Sequence, residues 1–84
     1  MDADARFIDS FVSREFRFSL GVEAATGRHF LSTPVSGRML AAEYEAYFAI
    51  DGAEFERFRA DPSSAEDFLE RCRNHANEDR LIYP

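Results

Sequence analysis

A single cysteine, Cys72, stands in a chain of 84 residues, so no disulfide within the chain can staple the fold. Stability must come from packing or from a partner subunit, and a lone thiol suits a reducing compartment. Lysine is absent as well. All ten basic residues are arginines, set against sixteen acids, for a net charge of -6. Such an excess of acid is repelled by phosphate backbones and anionic membranes, which argues against nucleic acid or a membrane surface as partner. No apolar run is long enough for a membrane span or for the core of a secretory signal. The first residues, Met1-Asp2-Ala3-Asp4-Ala5-Arg6, are acidic where a signal is basic, so a cytoplasmic location is expected. Glycine-rich phosphate motifs, internal repeats, low-complexity tracts and linkers are missing too.

What the chain does have is aromatic bulk. With 45% hydrophobic and 31% charged residues it has the composition of a folded protein, and nine Phe and three Tyr supply most of the filling for a core. A chain of this length has room for a single domain, residues 1–84. On folding it buries only about 60–65% of the surface exposed when unfolded, so each large side chain matters.

The negative charge is local. Residues 1–42 balance five acids with five arginines, whereas residues 43–70 carry nine acids against Arg57 and Arg59, and residues 71–84 are slightly basic. Acids of this kind commonly solvate outer helix faces, but they also attract a basic protein.

Local patterns divide the chain into elements. Phe7, Ile8, Phe11 and Val12 have the i, i+1, i+4, i+5 spacing of a short first helix, with Asp2 or Asp4 as its cap. From Arg14 to Val22 the period changes, and Phe16, Phe18, Leu20 and Val22 alternate as in a strand with one buried face. Ala24 to Arg28, with Gly27 suited to positive φ, reads as a hairpin connection to a returning strand, His29 to Thr33, which Pro34 ends before a turn at Ser36-Gly37. Met39 to Ile50 fits a helix through Leu40, Tyr44, Tyr47 and Phe48, or a strand through Tyr44, Ala46, Phe48 and Ile50. Aromatic and β-branched content from Tyr44 onward favours a third strand. Asp51 and Glu54 form a capping-box start for a helix over Gly52–Ala60, with Phe55 and Phe58 inward and Asp61-Pro62 as its stop. Ser63 or Ser64 then caps a second helix with Ala65, Phe68, Leu69, Cys72 and Ala76 on its apolar face, and Arg80 to Tyr83 adds an edge strand or a docked tail. The expected class is α+β: a small antiparallel sheet of two to four strands with helices packed on one face, in the order α-β-β-β-α-α.

Few residues suggest chemistry. Cys72 and His75 lie at i and i+3 on one helix, but a catalytic or metal site needs more partners than His29 and a carboxylate such as Asp79 supply, and a small core role explains the cysteine. No catalytic residue, metal site or cofactor is assigned. Thr33 to Arg38 combines a hydroxyl, a glycine and an arginine in one loop, which suits contact with a phosphate or carboxylate, though turn formation accounts for the same residues. Tyr44, Tyr47 and Phe48 lie among acids, the composition of a protein-binding surface. The expected function is a small acidic protein-binding module, of the immunity or antitoxin type, that engages a basic protein through Glu43, Tyr44, Glu45, Tyr47, Glu54, Glu56, Glu66 and Glu70. The alternatives are a homodimeric accessory protein, or a small enzyme or ligand-binding domain using residues 33–38 with His29 or His75.

Overall fold

The computed structural model describes residues 6–36 and 43–82. Four strands, β1 (Phe7–Ser13), β2 (Phe18–Glu23), β3 (His29–Ser36) and β4 (Glu43–Ala49), form one antiparallel sheet in chain order. Two helices follow, α1 (Gly52–Ala60) and α2 (Glu66–Arg73), joined by a 3₁₀ turn over Pro62–Ala65. The α+β class and helices on one face hold, but the order is β-β-β-β-α-α.

The expected first helix is strand β1. Its register explains the helix-like spacing: Ile8 faces Val22 and Asp9 faces Gly21, then a bulge between Asp9 and Phe11 inserts Ser10, so that Phe11 faces Leu20. One extra residue swaps the faces. Ile8, Phe11 and Ser13 therefore look toward the helices, and Phe7, Asp9 and Val12 toward the other side. A bulged strand and an amphipathic helix give the same pattern over six residues.

Strand β2 starts at Phe18 rather than Arg14, because residues 14–17 turn the chain and Arg17 adopts φ 61°. The hairpin after β2 forms as expected, with Gly27 at φ 72°. Pro34 does not end β3, which runs on to Ser36. β2 pairs with β3 only as far as Ser19 and Ser32, leaving β4 as the single neighbour at Pro34, where a missing N–H is tolerated. The ambiguous stretch resolves as β4 from Glu43 onward, while residues 37–42 lie outside the described residues.

Asp51 caps α1 as the sequence implies. Its Oδ1 accepts the Glu54 amide at 2.7 Å and Glu54 Oε1 accepts the Asp51 amide at 2.9 Å, two orphan donors satisfied reciprocally. Ser63 and Ser64 do not cap α2, whose N-cap position, Ala65, has no side-chain bond. Their hydroxyls instead close the 3₁₀ turn, Ser64 donating to the Asp61 carbonyl and Ser63 to the Asp61 carboxylate. Ala76 is exposed rather than core, because α2 has ended and His75 has turned the chain at φ 60°.

Phe55 and Phe58 of α1, with Ala65 and Leu69, pack on Phe18, Leu20 and Leu31 of the sheet and on Ile50, which follows β4. Beside this cluster Val35, Ala46, Phe48 and Cys72 are buried together, flanked by Phe68 and Leu81. Truncating a fully buried phenylalanine such as Phe58 to alanine costs about 3–5 kcal/mol, a large share of the roughly 4–13 kcal/mol expected for a domain of this size. Leu81 bridges to Phe48 and the Ile82 amide donates to the Tyr47 carbonyl at 2.8 Å, so the tail covers part of the outer edge of β4.

No helix or other described element lies over the second sheet face. There Phe7 stacks on Tyr47 at 4.0 Å between ring centroids, and both meet the edge of Phe30, which is fully buried beneath them. Gly21 makes this arrangement possible: a Cβ there would lie 2.9 Å from Phe30 Cζ and would collide with the Ile8 carbonyl.

Candidate functional site

Where the β1–β2 turn, the end of β3 and the start of β4 approach α2, they leave an open cleft of about 800 Å³. Phe16, Val35 and Leu69 form its apolar lining, and Glu15, Glu43, Glu66, Asp67 and Glu70 oppose Arg17 and Arg73, for a local net charge of -3. Both arginines are engaged. Arg17 reaches Glu43 at 3.5 Å across an exposed pair, and Arg73 donates to the Phe16 carbonyl at 3.2 Å. Glu15, Glu66, Asp67 and Glu70 make no ion pair among the described residues. Four carboxylates thus face solvent around an apolar floor, each without an ion pair among the described residues, and Arg73 offsets only part of their charge.

The eight residues singled out from the sequence fall into three places. Glu43, Glu66 and Glu70 meet at the cleft, and Tyr44, an exposed aromatic, follows Glu43 along the strand. Glu45 and Tyr47 point to the uncovered sheet face, where burial first, then the charges of Glu45 and Asp9, raise the Tyr47 phenol above its usual value. Glu54 and Glu56 lie apart on α1, and each has a partner within the chain. Glu54 caps its helix and binds Arg80 at 3.0 Å, while Glu56 pairs with Arg59 at 3.2 Å. Sequence reading missed Glu15 and Asp67, which reach the cleft through the β1–β2 turn and the first turn of α2. The charged run Arg14-Glu15 between two strands was the only local sign of the former.

The alternative site residues are separated. Thr33 is buried, and its hydroxyl donates to the Arg17 carbonyl at 2.8 Å, so it is spent on holding the β1–β2 turn against β3. Arg38 lies outside the described residues. His29 packs on Phe55 at 4.5 Å with a buried Nδ1 that has no hydrogen-bond partner among the described residues, whereas His75 Nδ1 sits 3.0 Å from Glu78 at the far end of α2. Cys72 is sealed in the core, and burial pushes its thiol up to about 11, the reverse of what a nucleophile needs. No helix among the described residues is long and apolar enough to cross a membrane. The chain matches no family model, and no curated protein or solved structure is significantly similar to it.

Proposed function

We propose that this is a small protein-binding module, without catalysis or cofactor of its own, that receives a basic segment of a partner protein in the cleft between the sheet end and α2. It would act as an inhibitor of the immunity or antitoxin type acts, by occupying a basic surface. A cytoplasmic setting belongs to the same reading. The observation that carries it is the set of four carboxylates, Glu15, Glu66, Asp67 and Glu70, without ion partners among the described residues around Phe16, Val35 and Leu69. Arginine or lysine side chains bring both the charge and the aliphatic stem that such a lining accommodates. Rim charges of this kind contribute modestly to affinity but speed encounter, so binding is expected to weaken steeply with salt. The acids of α1 take little part, being already paired.

The test is affinity capture from the native lysate at low and high salt, with mass spectrometry of the eluate. It compares the wild type with a Glu66→Arg, Glu70→Arg double variant and with Glu56→Arg as a surface control. A basic protein retained at low salt, lost on the cleft reversal and kept by the control is the expected result. Retention of the same partner by both variants would sink the assignment of the cleft.

A further inference from the structure

The sheet face that the helices leave bare carries a second depression, about 290 Å³, lined by Val12, Ser19, Pro34 and Glu45 with Arg14 and Arg17 at one end. We propose that this face is the contact between two copies of the chain. Its centre is apolar: Val12 is 56% exposed, the most exposed large hydrophobic side chain among the described residues, and Phe7 and Tyr47 present a flat aromatic patch alongside.

The charges at the rim favour a second copy over a unipolar partner. A two-fold contact sets a patch against itself, so the patch must hold both members of every pair it makes. Arg14 and Glu45 are both exposed, both line this depression, and neither has an ion partner among the described residues. Of the other charges on this face, Asp9 is exposed and has no ion partner among the described residues, while Arg17 pairs with Glu43 and both Arg6 and Arg28 pair with Glu23. A two-fold axis near Val12 and Pro34 places Arg14 of each copy toward Glu45 of the other and Val12 against an apolar surface. Overall charge opposes two acidic copies, which is why local complementarity is required.

The size of the face sets the strength. Four strands about 4.8 Å apart and about seven residues long give roughly 400 Å² per copy. Two copies would bury roughly 800 Å² in all, below the about 1,200 Å² at which stable specific interfaces begin, so the contact is expected to be weak and transient.

Sedimentation velocity from micromolar to near-millimolar protein reads this directly. A concentration-dependent monomer–dimer equilibrium is expected, abolished by Val12→Asp. Arg14→Glu or Glu45→Arg alone weakens it about tenfold or more, and the two together restore it, because the swapped pair is again complementary. All of these side chains are exposed, and thermal melts confirm that the variants fold. A monomer at every concentration overturns the proposal, as does a dimer that the combined swap fails to restore. Neither result bears on the acidic cleft, whose lining does not include Val12, Arg14 or Glu45.

Discussion

Replacing Gly21 with alanine sets two effects of opposite sign against each other. Gly21 does not have positive φ, and at such a position glycine-to-alanine stabilises a protein by about 0.4–1 kcal/mol because the unfolded chain has fewer conformations to lose. Against this, the new Cβ would lie 2.8 Å from the Ile8 carbonyl carbon and 2.9 Å from Phe30 Cζ, and closer still to the Ile8 oxygen. Two of these atoms are backbone and the third is a buried ring, so no flexible side chain can move aside. Overpacking of this kind costs about 1–3 kcal/mol or more, and relief requires β1 to move away, which also separates Phe7 from Phe30 and Tyr47. The clash wins, for a net destabilisation of roughly 1–2 kcal/mol or more, or about 5–15 °C in Tm for a domain of this length. Gly52→Ala is the natural comparison, since its Cβ meets nothing nearer than His29 Nε2 at 4.0 Å in the first turn of α1, and it is expected to stabilise slightly. Urea and thermal unfolding of both variants measure the difference. A Gly21→Ala protein as stable as the wild type would refute the close crossing of β1 over β2 and the bulge register that produces it.

Cys72, with its thiol at about 11, should react with a thiol reagent at pH 8 at least about a hundredfold more slowly in the native protein than in urea, and rapid native labelling would show that the core is open there. Glu23 is held below its ordinary 4.5, chiefly by hydrogen bonds from Arg28, against burial and with help from Arg6 and Thr26. Its contribution to stability is therefore complete above pH 4.5 and lost as pH falls through the lowered value, so Glu23→Gln should flatten that part of the acid limb in a series of Tm measurements. An unchanged acid limb in the variant would mean that the Arg6–Glu23–Arg28 cluster is not maintained in solution.

Local signals account for much of the architecture. The capping box at Asp51 and Glu54, the stop at Asp61-Pro62, the alternation of Phe18, Leu20 and Val22, and the positive φ of Gly27 each depend on bonds or periods spanning a few residues, and each is legible in the sequence. The errors come from non-local competition. Phe7 to Val12 reads as helix because a bulge imitates helical spacing, and only pairing with β2 reveals it. Pro34 reads as a strand end because nothing local says that β2 stops short of it.

The sites divide in the same way. Composition and order along the chain showed an excess of acid concentrated over residues 43–70 and a lone thiol among apolar positions, since charge and hydrophobicity belong to residues whatever they touch. Which acids act together was decided by the fold. Glu54 and Glu56 are neutralised by Arg80 and Arg59, whereas Glu15, distant in sequence, joins Glu66 and Glu70 at one cleft. Glu45 parts from its chain neighbour Tyr44 because successive residues of a strand point to opposite faces of the sheet. Proximity between side chains is set by strand register and helix packing, and these depend on contacts between residues far apart in the chain.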